Sequence, residues 1–115
     1  MKIVSLQTAA AYVKSGDRLF VQGAAMTPNT LINAICDRYE ELEEVEIISI
    51  HTDGAVNYAL PPYNKAFKIN SCFVGSNVRK AVNTNQGDYI PIFLSEIHLL
   101  FRKNILPLDV AVVQV

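Results

Sequence analysis

Apolar residues are arranged along this chain in two alternating patterns. Short apolar runs rich in β-branched residues are typical of buried strands, and they lie at 18–21, 45–50, 67–74, 89–93 and 108–115. Segments in which apolar residues recur every three or four positions predict helices that start near residues 5, 27, 76 and 95. This alternation predicts an α/β fold with an open, mainly parallel sheet and helices on both of its faces.

Polar residues and prolines fix several of the predicted helix boundaries. Ser5 has the side chain of an N-cap residue, and Gly16 is placed to end the helix that follows it. Thr27 and Pro28 suit the N-cap and the first position of the second helix. That helix has an apolar stripe made of Leu31, Ile32, Ile35, Cys36, Tyr39 and Leu42. Ser95 predicts a capped helix near the end of the chain.

Four further predictions concern the stretch 55–65 and the C-terminal part of the chain. Pro91 cannot donate a ladder hydrogen bond, so it predicts a sheet edge or a strand end. The run 109–115 has no polar face and predicts a central strand. Because the chain stops at the carboxyl end of that strand, we expect it to be a fragment. The irregular stretch 55–65 predicts a lid or a surface loop.

Loops that follow parallel strands gather at the carboxyl edge of the sheet, where ligands bind. Three such loops are predicted, at 23–27, 51–54 and 75–77. The first contains the small residues Gly23, Ala24 and Ala25, which either let a ligand approach the backbone or let the second helix pack tightly on the sheet. Spacing alone leaves both interpretations open.

The loop at 75–77 also has two interpretations. In the first, Gly75 makes a tight turn, Ser76 caps a helix, and Arg79 and Lys80 are exposed cations. In the second, Gly75 permits close backbone approach, and Asn77 and the helix N-terminus bind an anion or an acyl oxygen. The sequence contains neither the dinucleotide-binding pattern GxGxxG nor a P-loop pattern. It therefore gives no support for dinucleotide binding or for P-loop binding of a nucleotide.

The histidines, the cysteines and Glu96 do not form a recognisable catalytic or metal-binding pattern. His51 follows a predicted strand and is either a proton carrier or, more commonly, a hydrogen-bonded structural residue. His98 is expected to be half-exposed, and Glu96 to lie in the first turn of its helix. Cys36 and Cys72 fall in apolar patterns and predict buried, reduced thiols. No residues stand at metal-ligand spacing.

Composition narrows the class of protein. The 115 residues suffice for one domain, and half of them are apolar, so a hydrophobic core is expected. The formal net charge of -1 provides no basic field for nucleic acid. No apolar segment approaches the length of a membrane span or resembles a secretory signal, so we expect a cytoplasmic protein without a membrane partner.

Four segments resemble a known family. They are LFVQGAAMTP with the helix that follows it, IISIHTDG, the 29-residue block FVGSNVRKAVNTNQGDYIPIFLSEIHLLF, and ILPLDVAVVQV. Together and in this order they are similar to the N-terminal part of the acetyl-CoA hydrolase/transferase family, especially its 4-hydroxybutyrate CoA-transferase and butyryl-CoA:acetate CoA-transferase branch. The resemblance covers essentially the whole chain. Residues 1–115 are therefore expected to form an N-terminal CoA-transferase domain.

The resemblance implies an activity that this chain does not complete alone. Members of the family have two similar α/β halves and transfer coenzyme A from an acyl-CoA to a carboxylic acid such as acetate, butyrate or 4-hydroxybutyrate. Their glutamate nucleophile belongs to the C-terminal half, so no catalytic residue is expected here. The expected partners are an acyl-CoA, a small acid, the C-terminal half and further copies in a homo-oligomer. The CoA thioester is a substrate, and no covalently bound cofactor is expected.

By motif match, the resemblance assigns one wall of the acyl pocket to this chain. The residues expected to bind substrate are Gly23, Ala24, Ala25, Gly75, Ser76, Asn77 and Arg79. An acyl-CoA hydrolase, in which water is the acceptor, and a non-catalytic half that needs a separate partner subunit remain as alternatives. This chain departs from the family at Ala24, where a second glycine is frequent, at Met26, where a smaller residue is common, and at His98, where proline is common.

Overall fold

The computed structural model describes all 115 residues and contains the alternating elements that the sequence predicts. The strands are β1 to β5, with bounds Arg18–Val21, Val45–Ser49, Phe67–Ser71, Gly87–Tyr89 and Val110–Val112. The α-helices are α1 to α4, with bounds Leu6–Ala10, Asn29–Cys36, Ser76–Asn83 and Ile97–Arg102. Three short 3-10 helices occupy Asn57–Ala59, Tyr63–Lys65 and Leu94–Glu96.

The five strands form one open sheet in the order β4-β3-β2-β1-β5, and every neighbouring pair is parallel. The register places Leu19 beside Ile47 and Ile47 beside Ile69, so the three central strands bury a continuous apolar layer. All five strands end at the same edge of the sheet because they run in one direction. The predicted α/β fold with a parallel sheet is confirmed.

Helices cover both faces of the sheet. On one face, α1, α2, α3 and the segment around the first 3-10 helix close the main core, which includes Val13, Ile35, Ile47, Tyr58 and Ile69. On the other face, α4 packs over a smaller cluster built on Ile48, Cys72 and Ile97. Period-two alternation along β2 separates the two cores, since Ile47 points to one and Ile48 to the other. The predicted arrangement of helices on both faces is confirmed.

The predicted helix cap is found in α1 and not in α2 or α4. The Ser5 hydroxyl accepts a hydrogen bond from the Thr8 N–H at 3.1 Å, so Ser5 caps α1 as predicted. Pro28, and not Thr27, is the N-cap residue of α2, because the Thr27 hydroxyl is engaged in the neighbouring loops. Ser95 caps nothing, since a 3-10 turn precedes α4.

The bounds of α2 and α3 test the predicted helical patterns. The third helix begins at Ser76, where the sequence predicts a helix start, and it ends at Asn83. The second helix ends at Cys36, and the last residue of its predicted stripe, Leu42, lies beyond the helix but is still buried. The apolar spacing therefore predicts correctly which residues face the core, but it predicts a longer α2 than the structure has.

Three other predictions about the chain are corrected or resolved. The predicted strand at 89–93 is wrong, because β4 ends at Tyr89 and Pro91 lies past its end. The last strand, β5, lies at the edge of this sheet and not at its centre, since it pairs with β1 alone. The stretch 55–65 is no lid, because Val56 and Tyr58 are buried in the main core.

Candidate functional site

The loops after β1 and β2 are joined directly to each other. The backbone N–H of Ala24 donates a hydrogen bond of 2.6 Å to the carbonyl oxygen of His51, and Ala24 forms a parallel bridge with Thr52. These contacts extend the β1–β2 pairing past the ends of both strands. The first two predicted loops are therefore one continuous surface at the carboxyl edge of the sheet.

Thr27 strengthens this junction from the side of α2. Its hydroxyl donates to the carbonyl oxygen of Ala24 at 2.7 Å and accepts from the backbone N–H of Asp53 at 3.0 Å. Thr27 is 6% exposed, so both of its hydrogen bonds are largely shielded from water. The hydroxyl thus makes its hydrogen bonds between the loops, and it does not cap α2, whose N-cap residue is Pro28.

Asn77 ties the third loop to the second. Its side-chain amide donates to the carbonyl oxygen of Thr52 at 2.7 Å and makes a longer contact of 3.4 Å with the carbonyl oxygen of Gly54. Gly75 is the N-cap residue of α3 and Ser76 its first residue, so the predicted serine cap is wrong. Backbone N–H groups in the first turn of a helix have no acceptor within that helix. In α3 these groups include the N–H groups of Ser76 and Asn77, which directly follow Gly75.

Two glycines lie in tight packing at this edge, and the first of them has no room for a side chain. A Cβ atom on Gly23 would overlap the carbonyl oxygen of His51 and lie 3.0 Å from its carbonyl carbon. A Cβ atom on Gly75 would lie 3.1 Å from Asn77 Oδ1 and 3.3 Å from His51 Nδ1. The glycine in the first loop thus makes room for the neighbouring backbone, which neither of the two interpretations of that loop anticipated.

The other residues that were predicted to bind substrate are exposed to solvent. Ala24 and Ala25 are exposed beyond β1, and Ser76 and Arg79 are exposed on α3. Ala24 has a φ of 54°, in the left-handed region that costs a residue with a Cβ atom about 1 kcal/mol. The structure therefore gathers the three predicted loops at one edge, with His51 at their centre.

A cleft opens beside these loops on the face of the sheet that α4 covers. Its volume is about 600 Å³, which falls within the usual range for small-molecule sites. Seven of its eight lining residues are apolar, and the eighth is His51; the lining consists of Ile50, His51, Cys72, Phe73, Tyr89, Ile92, Leu94 and Ile97. Apart from His51, sequence analysis missed this cleft, because its lining comes from four separate segments.

Three titratable side chains lie near the joined loops: His51, Cys72 and Tyr58. His51 Nε2 lies 3.5 Å from Asp53 Oδ1, and the imidazole meets the Phe73 ring edge to face at a centroid distance of 5.4 Å. Burial raises the pKa of the Cys72 thiol, which lines the cleft. Burial also raises the pKa of Tyr58, whose hydroxyl lies 3.4 Å from that of Thr52. Cys72 is thus present as a thiol, which makes it a poor nucleophile.

Metal-binding clusters and membrane-spanning helices are both absent from this structure. The chain brings together no group of three or more His, Cys, Asp or Glu side chains that could hold a metal ion. None of its helices combines the length and the apolar character needed to cross a bilayer.

Comparison with known proteins identifies relatives along the whole chain. The family described as the acetyl-CoA hydrolase/transferase N-terminal domain matches residues 1–115. The succinyl-CoA:acetate/propanoyl-CoA:succinate CoA transferase of Fasciola hepatica is 38% identical over 109 residues, covering 90% of this chain and 22% of the relative. The 4-hydroxybutyrate coenzyme A transferase of Clostridium kluyveri is 32% identical over 114 residues, covering 99% of this chain and 27% of the relative.

Solved structures share the fold. RipA from Yersinia pestis superposes with a TM-score of 0.77 at 19% identity, covering 90% of this chain and 27% of that one. A RipA mutant superposes with a TM-score of 0.83 at 19% identity, over 97% of this chain and 28% of that one. This chain spans about a quarter of the length of these relatives. It belongs to the acetyl-CoA hydrolase/transferase family and corresponds to its N-terminal domain.

Proposed function

We propose that this domain forms one wall of the active site of an enzyme that transfers coenzyme A from an acyl-CoA to a short-chain carboxylic acid. Acetate, butyrate and 4-hydroxybutyrate are the acceptors we propose. The glutamate that attacks the thioester is supplied by a C-terminal half, so this domain binds and orients substrate without carrying the nucleophile.

One observation supports this proposal above the others: three loops from adjacent strands are hydrogen-bonded to each other at the carboxyl edge of a parallel sheet. The Ala24 N–H binds the His51 carbonyl, and the Asn77 amide binds the Thr52 carbonyl. A rigid set of loops at this edge is the usual setting for ligand binding in open α/β sheets. Preorganised donors at such a site stabilise the oxyanion that forms when a thioester is attacked.

The proposed roles of the site residues follow from where they lie. Gly23, Ala24 and Ala25 present an exposed, small-residue surface to the acyl group. The N–H groups of Ser76 and Asn77, at the start of α3, are the donors we assign to the substrate oxygen. Because the Asn77 side chain is already engaged by Thr52, we assign it the positioning of the second loop.

Arg79 has a different proposed role. Its exposed side chain belongs to the fourth residue of α3 and has no ion-pair partner within 4.0 Å in this chain. A guanidinium group binds a carboxylate through two parallel hydrogen bonds. We therefore propose that Arg79 binds the acid substrate, and Arg79→Lys should weaken acid binding because an ammonium cannot form the two-fold contact.

A chimaera tests the proposed function. The matching N-terminal region of the Clostridium kluyveri relative is replaced by this chain, and transfer of CoA from butyryl-CoA to labelled acetate is measured. We expect transfer in the chimaera, and a loss of about tenfold or more when Gly23→Ala separates the first two loops. A chimaera that is folded by circular dichroism and elutes as the parent enzyme does, yet transfers no CoA, would contradict the proposal.

The same assay separates transfer from hydrolysis. In a hydrolase, water attacks the glutamyl thioester, so free CoA would appear at the same rate with or without added acid. In a transferase, consumption of butyryl-CoA depends on the acid concentration and yields one acetyl-CoA for each butyryl-CoA consumed. We expect the second result.

A further inference from the structure

A groove of about 200 Å³ runs along α3 and begins beside the joined loops. One of its walls is a single face of that helix, because residues three and four positions apart lie on the same side of a helix; this wall consists of Asn77, Lys80, Ala81 and Thr84. Asn77 belongs to the joined loops as well, since its side chain binds the Thr52 carbonyl. This α3 groove therefore continues the candidate site away from the edge of the sheet.

The α3 groove combines an apolar wall with a single positive charge. Leu60 and Pro61 line it opposite the helix, and Leu60 is 49% exposed. Lys80 is the only charged residue of the lining, and its ammonium group has no ion-pair partner within 4.0 Å in this chain. An unpaired cation beside apolar side chains favours an anionic ligand that also has an apolar part.

We propose that the α3 groove binds the pantetheine arm of coenzyme A and that Lys80 pairs with the phosphate at the end of that arm. The inference rests on the function proposed above and adds the path that the substrate takes away from the thioester. In the proposed function the thioester oxygen lies at the N–H groups of Ser76 and Asn77, at the start of α3. The arm attached to the thioester sulfur then passes directly into the groove.

The dimensions and polarity of the groove suit that arm. From Asn77 to Thr84 the helix rises about 10 Å, which accommodates part of the extended arm. Its methylene and methyl groups pack on the apolar wall, and its amide groups pair with the side chains of Thr84 and Gln86. The Thr84 hydroxyl donates to the Lys80 carbonyl at 2.8 Å, so its oxygen is left to accept from an amide N–H. The Lys80 ammonium, on a flexible four-carbon stem, follows the arm to the phosphate.

Titration of the isotope-labelled chain tests the ligand without any transfer activity. CoA, pantetheine and inorganic phosphate are added separately, and binding is followed by the amide signals of Lys80, Thr84 and Gln86. We expect CoA to bind at least about fivefold more tightly than pantetheine, which lacks the phosphates, and than inorganic phosphate, which lacks the arm. The inference is overturned if millimolar CoA leaves these signals unmoved, or if either smaller ligand binds as tightly as CoA.

Two lysine variants provide a matched comparison. Lys80→Gln should weaken CoA binding about threefold to fivefold, the usual scale for an exposed ion pair, and leave pantetheine binding unchanged. Lys103→Gln removes an exposed cation at the end of α4, outside the lining, and should change neither affinity.

The opposite wall provides a second test that leaves Lys80 intact. Leu60→Glu and Leu60→Gln introduce side chains of nearly equal shape, and only the first adds a negative charge close to the bound phosphate. We expect Leu60→Glu to bind CoA about threefold more weakly than Leu60→Gln, and the two variants to bind pantetheine equally. Equal CoA affinities of the two variants would contradict a phosphate beside this wall.

The outcomes separate this inference from the proposed function. If folded Lys80→Gln binds CoA as the wild type does, or if Lys103→Gln weakens binding equally, the groove assignment is wrong even when the chimaera transfers CoA. If the groove binds CoA as expected and the chimaera transfers none, the inference about the arm stands and the proposed reaction does not. Thermal unfolding of each variant shows whether it is folded.

Discussion

Gly23 lies so close to the carbonyl oxygen of His51 that no side chain fits between them. We therefore predict that Gly23→Ala forces the loops after β1 and β2 apart and breaks the hydrogen bond from Ala24 to His51. Overpacking against fixed backbone typically costs about 1–3 kcal/mol in the free energy of unfolding. Urea denaturation measures this loss.

Gly75→Ala is the matched comparison for Gly23→Ala. The atoms nearest to its added Cβ belong to the side chains of Asn77 and His51, which can shift by a few tenths of an ångström. We expect a loss smaller than that of Gly23→Ala. Equal losses at the two positions would contradict the view that the first glycine is held against the backbone of the neighbouring loop.

Ala24 is a place where stability can be gained. Its φ of 54° strains any residue with a Cβ atom, and relief of that strain in Ala24→Gly should stabilise the chain by about 0.5–1 kcal/mol. Ala25→Gly, one residue further on, serves as the control and should be neutral or slightly destabilising, because Ala25 is not among the residues with positive φ. A higher melting temperature for Ala25→Gly than for Ala24→Gly would count against this explanation.

Asn77 should contribute to stability through its contact with the second loop. Asn77→Ala removes the hydrogen bond to the Thr52 carbonyl and should cost about 1–2 kcal/mol in the free energy of unfolding. Amide hydrogen exchange should also increase in the loop at 51–54. Asn83→Ala, at the exposed last residue of the same helix, is the control, and it should change neither quantity appreciably.

Cys36 makes stability depend on pH in the alkaline range. Burial raises the pKa of this thiol to about 12, from 9.0 for an exposed thiol. The unfolded chain therefore loses this proton at a lower pH than the folded chain, and stability falls as pH rises from about 9 to about 12. At pH 10.5 the loss from this thiol is about 2 kcal/mol.

Comparison with Cys36→Ala isolates that contribution. The variant loses some packing at every pH, but it lacks the titrating thiol, so its stability should decline less between pH 8 and pH 10.5. Urea midpoints at the two pH values measure the difference. Parallel declines in the wild type and the variant would show that the thiol is not responsible.

The amino-acid pattern predicts the fold well because the pattern is local. The start of α3 and the parallel sheet follow from patterns that each segment carries by itself. β4 lies at an edge of the sheet, as Pro91 predicts, whereas β5 lies at the other edge and not at the centre, because the place of a strand depends on which strands pair with it. Apolar composition indicates burial, and it does not distinguish a central strand from an edge strand.

The candidate site was predicted only in part, for a related reason. The three loops could be identified because each follows an apolar run, and the structure places them together as expected. The role of Thr27 could not, since its two hydrogen bonds join segments that are distant in sequence, and the same residue type also suits a helix cap. The cleft around His51 depends on tertiary packing of four segments.

The central claim is that the joined loops at the carboxyl edge face the substrate thioester. Its most direct test is a titration of the isotope-labelled chain with butyryl-CoA, in which amide chemical-shift changes are mapped residue by residue. We predict that the largest changes occur in the loops at 23–27, 51–54 and 75–77. An absence of changes, or changes confined to the opposite edge around Glu44, Lys65 and Asp88, would contradict the claim.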